Sequence, residues 1–335
     1  MDIVSTNIEI GGKIVANRLF LAPMAGLGNI ALRELISEFC DPGLLFTGMC
    51  NARAVPHENP ETSLVFKFRQ QELKHLVCQI FGSDPDDMAK AAKRIEQEGF
   101  FGVDLNFGCS AAAICKKGCG AALLKTPDLA ARIVEQVRSS VSIPVFVKFR
   151  IGWKDDVALV ESMAKKFEGA GADLLVFHPR ISPDRRTRPP KWEYIAKVKK
   201  AVNIPVFGNG NILNYSDMEK MAEITLCDGV SVGRLAIAKP WIFAEWTNNH
   251  KSYENIYHYT ALRMIELFLK HFGEFTGVKF FKKWAPYFSA NFKFCHEINK
   301  KLLSNNCLDD MKTCIDEIFE TPPGVAEKPN QNLFL

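Results

Sequence analysis

Cys109 closes the segment DLNFGCS and is followed by the small-residue run SAAA. A free thiol has a pKa of about 8.5 and is mostly protonated at neutral pH, so on an open loop it can give a proton to a carbon centre. The competing role is that of an inert packed cysteine, a common buried residue. Lys148 follows Val-Phe-Val in an apolar run, where an ammonium group is costly without a partner. Beside a ring system that takes up negative charge, such a cation stabilises the charged form; at a rim it simply reaches water. Gln79 is the polar member of VCQIFG, and its amide offers a donor and an acceptor side by side. His178 and Arg180 stand two residues apart and share one face of an extended chain. The segments GNGN (208–211) and VGR (232–234) let backbone N–H groups come close to a phosphate, with Arg234 adding a charged fork; as bare turns they have no chemical role. Cys115 and Cys119 complete a C-x5-C-x3-C spacing that fits neither zinc nor an iron–sulfur cluster, so no metal is expected.

Nearly all of these residues lie at or just beyond the end of an apolar run of strand length. The runs cover 18–25, 44–49, 76–82, 102–108, 144–152, 173–180, 205–210 and 229–234, and each is read as leading into helical spacing. The stretch 85–99 carries apolar positions at Met88, Ala92 and Ile95, and 127–141 carries them at Leu129, Ile133, Val134 and Val137. Eight strand–helix units over about 230 residues suit a (β/α)8 TIM barrel. An open doubly wound sheet would place its phosphate glycines after the first strand, whereas here they follow the seventh and eighth. Barrel chemistry collects at the C-terminal strand ends. There fall Pro23, Met24 and Ala25, then Thr47, Gly48 and Met49, then Gln79, Asn106, Cys109, Lys148, Arg150, His178 and Arg180, and finally Asn209, Gly210, Asn211, Gly233 and Arg234. A phosphate bound after strands seven and eight would belong to a cofactor such as FMN or to a substrate.

The 335 residues are 47% hydrophobic and 24% charged, which excludes a disordered, collagenous or coiled-coil chain. A net charge of +4 is too small to argue for nucleic acid, so that case rests on local clusters. The sequence opens without a basic-then-apolar leader, no apolar stretch reaches ~18 residues, and the ten cysteines read as reduced thiols. A cytoplasmic protein that spans no membrane is expected. Beyond residue 247 strand signals cease and long helical patterns begin. The expected organisation is a barrel domain over 1–246, a small all-helical C-terminal domain over 247–320 and a loosely held tail over 321–335. Residues 180–200 hold eight Lys or Arg against two acids, Arg185 and Arg186 among them. Residues 279–301 hold six lysines, including Lys282 and Lys283, against one acid. They are interleaved with Phe280, Phe281, Trp284, Tyr287, Phe288, Phe292 and Phe294. Lysines with aromatics suit a structured RNA, by phosphate contact and stacking; alternatively the aromatics are the core of an amphipathic helix.

The segments LAPMAG, CQIFGSDPDDMAKAA, VDLNFGC, GCGAALLKTPDL, VKFRIGW, NIPVFGNGNI and CDGVSVGR resemble, in family order, the motifs of the tRNA-dihydrouridine synthases over residues 18–246. The resemblance implies an FMN-containing barrel followed by a helical tRNA-binding domain. It also implies reduction of the C5–C6 double bond of specific uridines in tRNA, with NADPH as reductant. By motif position it sets FMN against Pro23, Met24, Ala25, Gln79, Lys148, His178, Asn209, Gly210, Asn211, Gly233 and Arg234. It makes Cys109 the donor of a proton to C5 once hydride has reached C6 of a flipped-out uridine. Asn106, Arg150, Arg180, Arg185, Arg186, Lys282 and Lys283 are the expected substrate or RNA contacts. Three positions depart from the family pattern: Ser110 where Pro is usual, Gly48 in place of the Glu of Thr-Glu-Met, and Pro179 in place of the Gly of His-Gly-Arg. All three fall on the substrate side of the expected flavin. Two rivals share part of the pattern. One is a flavin reductase of a small molecule, which has no need of the lysine–aromatic segment. The other is a tRNA-binding module with a vestigial flavin, against which Lys148 and Cys109 stand.

Overall fold

The computed structural model describes residues 2–182, 184, 188–247 and 255–334. The chain divides into two compact units, one of Met1–Pro23 and Pro42–Val232, the other of Met24–Asp41 and Gly233–Leu335.

The first unit is a barrel of eight parallel strands: β1 (Leu19–Leu21), β2 (Leu45–Phe46), β3 (Leu76–Phe81), β4 (Gly102–Phe107), β5 (Val145–Gly152), β6 (Leu174–Ile181), β7 (Val206–Asn209) and β8 (Gly229–Val232). They pair in the order β1-β8-β7-β6-β5-β4-β3-β2. The circle closes where Phe20 bridges Leu44 and the Leu21 N–H donates to the Leu44 carbonyl at 3.0 Å. Side chains alternate in and out with period two. One interior layer is aromatic: Phe20 stacks on Phe207 with ring centroids 3.9 Å apart, and Phe146 meets Phe46 edge-on at 5.8 Å. Gly102 and Gly229 make room for two of these rings. A Cβ at those positions would stand 2.7 Å from Phe146 Cε2 and 2.3 Å from Phe207 Cε1. An antiparallel ribbon, Ile8–Ile10 with Lys13–Val15, adds Ile8, Ile10 and Val15 to the same core. Its two-residue turn is Gly11-Gly12, with φ of +53° and +77°, the left-handed pair that a tight hairpin requires. Two residues further along the same strands the interior turns polar: Val77 gives way to Gln79, Gly102 to Asp104, Phe146 to Lys148, Val176 to His178, Phe207 to Asn209 and Gly229 to Ser231.

Helices Pro85–Gln97, Pro127–Arg138, Val157–Gly169, Glu193–Ala201 and Tyr215–Thr225 alternate with the strands. Met88, Ala92 and Ile95 are buried on the first, and Ile133, Val134 and Val137 on the second, as their spacing predicts, while Leu129 in the first turn of the second is only half-buried. The helix expected after β2 is absent. Residues 47–75 contain the two-residue strand Cys50–Asn51, paired parallel to β3, and the 3₁₀ turns Val55–His57 and Gln70–His75, and Pro56 and Pro60 deny the segment a regular helix.

The second unit is helical: Ile30–Phe39, Arg234–Ala238, Ile242–Trp246, Ile256–Ser289 (broken at Gly273, φ +68°), Cys295–Ser304 and Leu308–Glu320. The boundary expected at residue 246 is thereby displaced. Ile30–Phe39 follows the first barrel strand in sequence, yet Glu38 pairs with Arg263 at 2.7 Å and Glu34 with Lys270 at 2.7 Å and with His271. The short helix Arg234–Ala238 presents carbonyls to the indole of Trp284 (Ile237 O, 3.0 Å) and to the amide of Asn291 (Ala238 O, 2.7 Å). The loosely held tail also needs correction. Val325 bridges Phe292, the Asn330 N–H donates to the Ala290 carbonyl at 2.8 Å, and Phe334, 3% exposed, stacks on Tyr287. Two apolar residues at the chain end, Leu333 and Phe334, outweigh the proline-rich composition before them. No helix among the described residues is long and apolar enough to cross a membrane.

Candidate active site

The polar layer of the barrel is joined by a run of side-chain hydrogen bonds. Gln79 on β3 donates through Nε2 to Asp104 Oδ2 on β4 at 2.6 Å, and its Oε1 accepts from Asn106 Nδ2 at 2.8 Å. Thr47 Oγ1 accepts from the Gln79 backbone N–H at 3.0 Å, which fixes the strand end from the other side. Lys148 on β5 donates to Asn209 Oδ1 on β7 at 3.2 Å, and Asn209 Nδ2 donates to the Ser231 carbonyl on β8 at 2.7 Å. Five strands therefore deliver one amide- and charge-bearing surface, and Gln79, Asp104 and Asn106 are each less than a tenth exposed. Burial pushes the Asp104 carboxyl well above the ordinary carboxylate range, against the donation from Gln79 and the charge of Lys148. Burial likewise pulls the Lys148 ammonium down, with Asp104 opposing. In both shifts desolvation outweighs mutual attraction. Asp104 Oδ1, Ser231 Oγ and Arg150 Nε are buried and meet no hydrogen-bond partner among the described residues.

Cys109 lies just past β4, partly exposed, ahead of the open residues Ser110 to Ala113. Its backbone N–H donates to Asn106 Oδ1 at 2.9 Å, and that of Gly108 to the same oxygen at 3.2 Å. Its carbonyl accepts from Ala121 N–H at 2.8 Å and faces Cys115 Sγ at 3.5 Å. Gly120 allows the loop to return this closely, since a Cβ there would lie 2.5 Å from the Cys109 carbonyl oxygen. Burial and the neighbouring Cys109 push the Cys115 thiol up. Among the described residues no group of His, Cys, Asp and Glu is arranged to hold a metal ion.

His178 and Gly210 meet directly. A Cβ on Gly210 (φ +119°) would stand 2.8 Å from His178 Cδ2, so only glycine fits. The Gly210 carbonyl accepts from Trp192 Nε1 at 2.9 Å. Asn211, at φ +55°, accepts from Arg180 Nη2 at 3.1 Å. Arg180 itself is 3% exposed and also donates to the Arg188 carbonyl, so it braces the loop after β7. Arg150 donates to the Ile181 carbonyl at 3.3 Å. Pro23 follows β1, while Met24, Ala25, Gly233 and Arg234 belong to the second unit, where the Arg234 guanidinium lies 5.5 Å from the Phe334 ring centre. In that unit Lys283 is exposed, and Lys282 reaches Asn306 Oδ1 at 3.1 Å. Arg185 and Arg186 lie outside the described residues. The aromatics of 279–301 resolve as core: Phe280, Phe281, Trp284, Tyr287, Phe288 and Phe292 are buried and only Phe294 is open, at 72%. Sequence reasoning missed Asp104 and Ser231. The signal for Asp104 was present, a carboxylate inside a strand otherwise fit for burial on both faces.

The chain matches the family model described as "Dihydrouridine synthase (Dus)" over residues 20–318. A "Probable tRNA-dihydrouridine synthase" of Rickettsia bellii is 31% identical over 320 residues, 93% of this chain and 97% of the relative. "tRNA-dihydrouridine synthase B" of Pseudomonas aeruginosa is 33% identical over 294 residues, 84% of this chain and 87% of the relative. Among solved structures, a 2-naphthoyl-CoA reductase in complex with 2-naphthoyl-CoA aligns with a TM-score of 0.58 at 15% identity, over 74% of this chain and 52% of that one. "TcOYE with pHBA" aligns with a TM-score of 0.57 at 12% identity, over 76% and 95%. At such identities these two speak for the barrel alone. The barrel together with the family match defines a barrel oxidoreductase of the flavin-dependent kind. The chain belongs to the dihydrouridine synthase family.

Proposed function

We propose that the chain reduces the C5–C6 double bond of uridines in tRNA to dihydrouridine, with FMN as its bound flavin and NADPH as reductant. The observation that carries this reading is the polar layer, which sets amides, a lysine and partnerless buried atoms at the mouth of a barrel otherwise filled with phenylalanine. These residues fit FMN. Gln79 and Asn209 offer amide edges to a ring system rich in donors and acceptors, and Lys148 offers a cation. The His178–Gly210 contact and the left-handed Asn211 form a loop suited to a phosphate. Bound FMN supplies the hydride that reaches C6 of the uracil. Lys148 stabilises negative charge gathered on its neighbour. Cys109, on its open loop, gives its proton to C5. Asn106 holds the loop through two backbone N–H groups. Lys282 and Lys283 are assigned to RNA phosphates.

The test uses the purified protein, unmodified tRNA transcript and NADPH. The expected outcome is a yellow protein that releases FMN on acid treatment and forms dihydrouridine. Cys109→Ala is expected to keep FMN and lose activity by about 100-fold or more. A colourless protein that takes up no offered FMN overturns the reading; full activity in Cys109→Ala overturns the proton donor.

A further inference from the structure

We infer that Asp104 is a positioning residue for Cys109, acting through a hydrogen-bond chain of fixed polarity that runs Asp104–Gln79–Asn106–Cys109. The chain can be read from either end. At the loop, the backbone N–H groups of Gly108 and Cys109 can only donate, so Asn106 must turn its oxygen to them, at 3.2 and 2.9 Å. Its Nδ2 is then committed to donate, and does so to Gln79 Oε1 at 2.8 Å. That commits Gln79 Nε2 to donate in turn, and the acceptor it finds, at 2.6 Å, is Asp104 Oδ2. A terminal acceptor is therefore required, and a carboxylate supplies it. Without one, either amide can flip, and one flip leaves the Cys109 loop facing an N–H instead of a carbonyl oxygen. The length of the run accounts for a carboxylate that is 0% exposed and meets no substrate-facing surface of its own. Burial favours its neutral form, and the lysine across the layer offsets part of that tendency. The catalytic meaning of the chain rests on Cys109 being the proton donor; the chain itself does not.

Three variants and two readouts test it, all on the protein without added FMN or tRNA. Asp104→Leu removes the terminal acceptor, Asp104→Asn keeps an acceptor oxygen without the charge, and Gln79→Met removes the middle link. The first readout is hydrogen exchange at the Gly108 and Cys109 amides; the second is peptide-resolved alkylation of Cys109. Asp104→Leu is expected to exchange about tenfold faster at these two amides, the loss of one hydrogen bond of ordinary strength, with the β5 amides unchanged. Its Cys109 alkylation rate is expected to move away from that of the wild type. Asp104→Asn is expected to stay within about twofold of wild type on both readouts. Should Asp104→Leu not fold, Gln79→Met must show the same acceleration. The inference is overturned if Asp104→Leu, or Gln79→Met in its place, matches wild type. It is equally overturned if Asp104→Asn exchanges as fast as Asp104→Leu, or if β4 and β5 accelerate together. A protein that passes these tests yet forms no dihydrouridine sinks the proposed activity and leaves the positioning chain standing.

Discussion

Glu34 and Asp104 are both buried carboxylates, and their surroundings drive them in opposite directions. Glu34, in the helical unit, accepts from His271 and from Lys270 at 2.7 Å; these donors, His271 foremost, hold its carboxyl down at about 2. Asp104, in the barrel, accepts from the neutral Gln79 amide and keeps one oxygen with no partner among the described residues, and burial holds it up. The difference lies in the donors and in the depth: charged donors outweigh burial at Glu34, and burial outweighs a neutral amide at the fully enclosed Asp104. A carboxylate whose lone pairs are met by the fold belongs to the fold's own stability. One left short of donors inside a barrel is held toward its protonated form.

The largest effect expected from this contrast is on stability. Glu34→Ala strips Lys270 and His271 of a shared buried partner and should cost about 3 kcal/mol in urea unfolding, the scale for breaking a buried ion pair from one side. A loss below about 1 kcal/mol would place the cluster among surface pairs and dissolve the contrast. Next comes the pH dependence. Because the Glu34 pKa is depressed from 4.5 to about 2, its contribution is complete above 4.5 and is lost as pH falls toward 2. The stability gap between wild type and Glu34→Gln should therefore close across that window.

The sequence made one of these two sites half visible and hid the other. Eight apolar runs announce the barrel because parallel strands buried on both faces leave little else to be. Gln79, Lys148 and Asn209 stand out because polar residues interrupt such runs. Asp104 interrupts one as well, but strand periodicity alone cannot tell a carboxylate aimed at the barrel axis from one aimed outward. Glu34 carries no signal at all: its partner His271 lies 237 residues away, and pairings at that distance follow from packing and not from spacing. The same blindness explains the displaced boundary, since Ile30–Phe39 occupies the place of a barrel helix in sequence and gives its acids to Arg263, Lys270 and His271. The aromatics of 279–301 show an ambiguity that only packing resolves. Their interleaving with lysines suggests stacking on bases, yet helical spacing carries the rings inward and leaves the lysines outside.

The last effect is the most discriminating, because its sign is opposite to that at Glu34. A carboxyl whose folded pKa is raised binds its proton more tightly in the folded chain than in the unfolded one. From the ordinary value of 3.8 upward, then, wild type loses stability at Asp104 as pH rises toward its folded pKa, whereas the amide of Asp104→Asn has no proton to lose. The stability of Asp104→Asn relative to wild type should rise between about pH 4 and pH 8. Urea midpoints of the two proteins over that range measure it. Parallel curves would mean that Asp104 ionises as freely inside the barrel as outside, and the distinction between a carboxylate completed by the fold and one left short of donors would fail at its sharper end.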